Sequence, residues 1–178
     1  MLKLISYVMG LIHYQHKFIF LNKFKKSLLI GLCVFVCVFT INKLGYHYKI
    51  TLLIPPIAAS CVIIFTLPNS PFSRPKNIMG GHIMSAFIGL FLMNSMNITS
   101  VSLALALSLS IFSMLLTDTL HPPAGATTVL VMYTKAGWHF VLFSVIISTI
   151  IISIISIVYK RMHGFVKGGK KEFNVQKL

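Results

Sequence analysis

Two proline pairs carry the clearest chemical signal in the chain. Pro55, Pro56, Ile57, Ala58, Ala59 and Ser60 share one pattern with Pro122, Pro123, Ala124, Gly125, Ala126, Thr127 and Thr128: two prolines, a small tract, a hydroxyl residue and then an apolar run. Proline disfavours helix at the residue before it, and its missing N–H is harmless at a first helical position, so each pair predicts the start of a new helix. The amides of Ile57 to Ala59 and of Ala124 to Ala126 then lack carbonyl partners within the helix. Free amides and the positive end of the helix dipole both favour an anion. The small side chains at Ala58, Ala59, Gly125 and Ala126 let a ligand reach the backbone, and the hydroxyls of Ser60, Thr127 and Thr128 add donors.

Three titratable residues stand close to these breaks. His121 directly precedes the second proline pair, where it can donate to an anion or carry a coupled proton. His82 follows Gly81 near the start of another apolar segment and is expected in a comparable position. Asp118 is the only acidic residue ahead of the C-terminal tail, and it can orient His121 or accept a proton in a coupling or gating role. Asp118 also opens the alternative of a cation or metal transporter built on Asp118, His121 and His82. A further alternative is a membrane scaffold in which the prolines only shape packing. An enzyme is not expected, because scattered histidines and one Asp do not form a nucleophile, base and orienting group. No residue grouping suits haem, zinc or an iron–sulfur cluster, so no cofactor and no metal are expected. Cys33, Cys37 and Cys61 lie in apolar stretches and are expected to serve packing.

The elements that hold these residues are membrane helices. The chain is 56% hydrophobic and only 10% charged, and runs of about 20 apolar residues are enough to cross a bilayer. A net charge of +14 suggests nucleic acid in a soluble protein, but here the basic residues lie mainly outside the apolar runs, which excludes that partner. Lysines precede the first span, while Lys160, Arg161 and further lysines follow the last. Both ends are therefore expected in the cytoplasm, with an even number of crossings. Arg74 and Lys76 can attract anions to a cytoplasmic mouth and also serve as topology charges.

The fold class expected is all-α: a polytopic helical membrane protein of two three-element repeats whose second elements are proline-broken or re-entrant. Residues 1–26 form a basic segment, expected as an interfacial helix. Residues 27–159 form the transmembrane domain, with one repeat at about 27–97 and the other at about 99–159, and residues 160–178 form a basic cytoplasmic tail. Gly81, Ser85 and Gly89, and likewise Ser102, Ala106 and Ser110, recur four apart, which predicts close helix packing in the interior.

The run from His121 to Ala126 resembles the signature of the HPP family of integral membrane proteins, as do Ser70, Pro71, Arg74, Pro75, Asn77, Gly80, Gly81 and His82 in the preceding loop and helix. The resemblance covers about residues 27–159. It implies a compact protein with four transmembrane helices, and for some members a role in nitrite transport. The residues and the resemblance together point to a transporter or channel for a small anion, nitrite above all, in a bacterial inner membrane. The lipid bilayer is then its partner, and a homo-oligomer is compatible with the sequence. The expected substrate-binding residues are 55–60, 81–82 and 121–128.

Overall fold

The structure, a computed structural model, describes the backbone of residues 2–167 and the side chains of residues 20–162. All regular elements among the described residues are helical. They are α1 (Leu2–Tyr48), α2 (Pro55–Thr66), a 3-10 turn (Pro71–Ser73), α3 (Pro75–Ser95), α4 (Ser100–Leu116), α5 (Pro122–Tyr133), a π-helical stretch (Phe140–Ile146) and α6 (Ile147–Lys167). The chain forms two compact units, residues 1–36 and 37–178. In the first unit the described side chains include exposed Phe20, Phe24, Leu28 and Leu32. The second holds all the elements from α2 onward.

Length separates the helices into two kinds. Three stretches are long and apolar enough to cross a membrane: Phe20–Tyr48, Pro75–Ser95 and Phe140–Met162. α4 follows with 17 residues. By contrast α2 and α5 have only 12 residues each, a rise of about 18 Å against a hydrocarbon core of about 30 Å. Neither proline-led helix can cross alone. The protein is an all-α membrane protein.

Two expectations about the ends need correction or restriction. No break separates the described residues from Leu2 to Lys26 from the first span, because α1 continues through them as one helix. Side chains before Phe20, and with them the interfacial face expected there, lie outside the described residues. At the other end, helix continues past Lys160 to Lys167, and the rest of the basic tail lies outside the described residues.

Both short helices start as the prolines dictate. Ile54 and His121 are the extended N-cap residues, and the prolines fill the first two helical positions. This arrangement removes the free donors expected there. The amides of Ile57 (2.9 Å) and Ala58 (3.1 Å) both donate to the Ile54 carbonyl, and that of Ala124 donates to the His121 carbonyl (2.9 Å). Two of the orphan positions have no N–H at all, and the next amide closes a tight turn on the cap. A backbone cradle for an anion is therefore not formed at Ile57, Ala58 or Ala124.

The core is built on small residues, as their spacing predicts. Gly81, Ser85 and Gly89 are buried on α3, and Ser102, Ala106 and Ser110 on α4. α5 packs against α2, α3 and α4. At Gly89 an added Cβ would meet the Thr128 carbonyl oxygen at 3.0 Å, so the two backbones touch only because that residue has no side chain. Thr128 fastens the same seam: its hydroxyl donates to the Ser85 carbonyl (3.1 Å) and shares a hydrogen bond with Ser110 (2.7 Å). Cys37 and Cys61 are buried with their sulfurs 3.8 Å apart, in keeping with a packing role.

Candidate functional site

At the centre of the second unit a chain of polar side chains runs through apolar surroundings. Ser60, His82, His121 and Thr127 are each 0% exposed. Thr127 Oγ1 lies 2.7 Å from His82 Nδ1, and His82 Nε2 lies 2.9 Å from Ser60 Oγ. The same serine oxygen lies 2.8 Å from His121 Nε2, and His121 Nδ1 donates to the Phe72 carbonyl at 2.8 Å. A carbonyl can only accept, so the Nδ1 proton of His121 is fixed by its partner. The two imidazoles stand 5.1 Å apart between ring centroids, with their Nε2 atoms converging on one hydroxyl.

Each member is placed by a different element. Ser60 and Thr127 occupy the same position in the two proline-led helices, five residues after the first proline, and they grip opposite nitrogens of one imidazole, that of His82 on α3. His121 is held at the N-cap of α5 by its extended backbone, which the following prolines enforce. The segment before it is tied to α3 by Asn77, whose side-chain amide donates to the Leu120 carbonyl (2.9 Å). The Phe72 carbonyl is aimed by the 3-10 turn. That turn is latched on both sides: Ser73 Oγ donates to the Leu67 carbonyl (2.7 Å), and Ser156 Oγ of α6 donates to the Ser73 carbonyl (2.7 Å).

A basic cleft of about 310 Å³ adjoins this turn, lined by Ser73, Arg74, Pro75, Ser156, Lys160 and Arg161. Its wall residue Ser73 follows Phe72 in the chain, so the cleft lies one residue from the carbonyl that holds His121. Along α3, the Ser85 hydroxyl is buried without a hydrogen-bond partner and stands three residues beyond His82, on a neighbouring position of the same helix face.

The other sequence-predicted residues fall elsewhere. Pro122, Gly125 and Ala126 line an apolar groove with Leu107 and Ile111 of α4, not the histidine pair. A Cβ added at Gly125 would lie 3.1 Å from Leu107 Cδ1. Pro55 and Ala59 are exposed and Ala58 is half-buried, while Pro56, Ile57, Pro123 and Ala124 are buried as packing. Thr128 belongs to the α3–α4–α5 seam. Gly81 makes room for His121, whose Cβ would lie 2.9 Å from a Cβ at that position.

Asp118 does not orient His121, since Phe72 fills that place. Its backbone is left-handed (φ 51°), and the amide of Thr119 reaches back to the Met114 carbonyl at 2.9 Å. Asp118 is thus the exposed residue that closes α4 in a Schellman turn, a role short polar side chains tolerate. Sequence reasoning missed Phe72, Ser73, Lys160 and Arg161. The first acts through a backbone carbonyl, which no side-chain type announces, and the last two meet Arg74 only through the fold.

The match to known families now decides the lineage. The model of the HPP transmembrane region matches residues 21–167. The chain belongs to the HPP family. Two transmembrane proteins of Dictyostelium discoideum resemble it. One is 41% identical over 104 residues, covering 52% of this chain and 36% of that protein. The other is 38% identical over 104 residues, covering 52% of this chain and 33% of its length. The chain thus spans about a third of the length of these relatives. No solved structure matches it.

Proposed function

We propose that this HPP protein is a transporter or channel for a small anion, with nitrite the expected cargo, and that the Ser60–His82–His121 cluster is the point the cargo must pass. The observation that carries this reading is the fully buried histidine pair whose Nε2 atoms converge on one hydroxyl; the basic cleft beside the 3-10 turn that holds His121 supports it. Titratable side chains are costly at membrane depth and mark ion paths by default. His82 is the eighth residue of α3, about 10 Å along its axis.

Sign of charge favours an anion. Arg74, Lys160 and Arg161 raise the local concentration of anions at the cleft. The buried cluster and its neighbour Ser85 hold only neutral and protonatable groups: two imidazoles and the hydroxyls of Ser60, Thr127 and Ser85. A cation would meet two imidazoles with no carboxylate hydrogen-bonded to either, since Asp118 closes a turn elsewhere. Convergence of two Nε2 atoms on one point is nevertheless what a soft divalent ion uses, so Zn²⁺ belongs among the ions offered in any assay. The basic residues at Arg74 and along α6 support a cytoplasmic placement of the cleft in the inner membrane of a bacterium. No chemical conversion is assigned to the protein.

The cleft provides a direct test. A chain carrying Arg74→Gln, Lys160→Gln and Arg161→Gln should show a several-fold higher half-saturating nitrite concentration in proteoliposomes. Its uptake should also lose most of the ionic-strength dependence seen in the wild type, because steering by surface charge is screened by salt. An unchanged half-saturation and an unchanged salt profile would remove the cleft from the path.

A further inference from the structure

We propose that the end of α1 carries a binding site for the phosphate headgroup of an anionic phospholipid. The site is independent of the transport role proposed above. A cleft of about 670 Å³ opens there, against about 310 Å³ for the one beside Arg74, and Lys43, His47 and Lys49 stand on its walls.

The sequence builds this cleft by reversing the chain at a fixed point. Lys49, the residue after α1, has a left-handed backbone (φ 55°). The amide of Ile50 reaches back to the Gly45 carbonyl at 2.9 Å, and that of Lys49 to the Tyr46 carbonyl at 3.3 Å, the two bonds of a Schellman turn. A Cβ added at Gly45 would lie 2.6 Å from the Ile50 carbonyl oxygen and 3.3 Å from the Leu52 amide nitrogen, so the returning segment lies directly on the helix. Lys43 and His47 are one turn apart on α1, and the return brings Lys49, Ile50, Leu52 and Leu53 to the same opening.

Charge, position and lining all match a phospholipid. Two lysines and an imidazole converge, and no carboxylate lines the cleft. Asp118, the one acidic side chain among the described residues, closes α4 instead. The helix end does not use up these cations, because the turn's own amides already occupy the Gly45 and Tyr46 carbonyls. Phe20–Tyr48 is long and apolar enough to cross a membrane, and the cleft sits at its last turns, where headgroups lie and where Tyr46 and Tyr48 are exposed. Ile50, Leu52 and Leu53 add apolar wall beside the cations, which suits the glycerol and first acyl carbons that follow a headgroup phosphate. A three-atom anion needs neither that wall nor that volume.

The two basic clefts are separate. Ser148 Oγ donates to the Leu52 carbonyl (2.6 Å), and Ser156 Oγ donates to the Ser73 carbonyl (2.7 Å). Leu52 lines the larger cleft and Ser73 the smaller, while their serines stand eight residues apart on α6, about 12 Å of rise. No member of the histidine cluster lines the larger cleft.

The test is native mass spectrometry of the full chain in a non-ionic detergent, titrated separately with phosphatidylglycerol, phosphatidylcholine and inorganic phosphate. The expected result is a phosphatidylglycerol adduct of one lipid per chain, much weaker binding of phosphatidylcholine, and no displacement by inorganic phosphate. In a Lys43→Gln, Lys49→Gln chain the phosphatidylglycerol affinity should fall about ten-fold or more, the size expected for two lysines at a membrane surface. Lys49→Gly separates binding from folding, because glycine is favoured at a left-handed position. Its lipid-free melting temperature should hold or rise while its phosphatidylglycerol affinity falls several-fold. Equal phosphatidylglycerol affinity in the double variant and the wild type, or equal affinity of the wild type for phosphatidylcholine, would overturn the site. Displacement of the lipid by inorganic phosphate would overturn the lipid as its occupant.

Discussion

A Gly81→Val chain should fail to give a folded, monodisperse protein, and Gly81→Ala should already lower the melting temperature markedly. A Cβ at this position would lie 2.9 Å from His121 Cβ, 3.1 Å from the Thr119 carbonyl oxygen and 3.2 Å from Ala124 Cβ. None of these atoms is the far end of a flexible side chain, so relief requires α3 and α5 to separate. Overpacking of this kind costs about 1–3 kcal/mol for one methyl, and the valine adds two more carbons in the same gap. Gly31 is the matched control, since an added Cβ there meets nothing within 4 Å. Gly31→Ala should be neutral or stabilising by up to about 1 kcal/mol, the usual helix preference for alanine. Thermal unfolding in detergent, followed by size-exclusion chromatography, measures all three. Equal melting of Gly81→Ala and the wild type would show that the α3–α5 seam is looser than described.

His82→Ala should be the most damaging change to a side chain that is not glycine. It removes the two hydrogen bonds by which His82 bridges the short helices, leaves the Thr127 hydroxyl without its imidazole partner and Ser60 with one fewer, and opens a cavity where a fully buried ring stood. Cavity and unsatisfied donors together cost about 2–5 kcal/mol. Nitrite uptake should fall to the level of protein-free vesicles. Asp118→Asn separates this from a general effect of charge. It keeps the left-handed turn, which asparagine tolerates, and should leave melting within about 0.5 kcal/mol and uptake at the wild-type rate. A large loss of uptake in Asp118→Asn with normal melting would return Asp118 to the path and reopen the cation alternative.

Much of this architecture is legible in the chain. Pro-Pro after an extended residue dictates a helix start, and the four-residue recurrence of Gly81, Ser85 and Gly89 dictates a buried seam. The resemblance to HPP is legible in the run at His121, and the family match over residues 21–167 shows the membership. The sequence singles out His121 and His82 by their place beside proline and glycine, and the structure buries both with their rings 5.1 Å apart. What failed was the chemistry of the helix starts. Counting free amides from helix geometry overlooks that two prolines supply none, and that Ile57 and Ala124 turn back on their own cap carbonyls. Asp118 was misplaced because nearness in sequence to His121 says nothing of direction. The left-handed turn at Asp118 carries its side chain to the surface while the next residues enter the core. Phe72, Lys160 and Arg161 join the site through tertiary contacts, which no local pattern encodes.

The buried histidine pair is claimed to lie on the route of the anion, and His121 offers the most direct measurement. Nitrite, nitrate, formate and chloride uptake into proteoliposomes should be compared for the wild type and His121→Gln, at matched protein content and matched melting temperature. The wild type is expected to show saturable nitrite uptake well above protein-free vesicles, and His121→Gln to lose it. Nitrite uptake in a folded His121→Gln chain equal to that of the wild type would contradict the account.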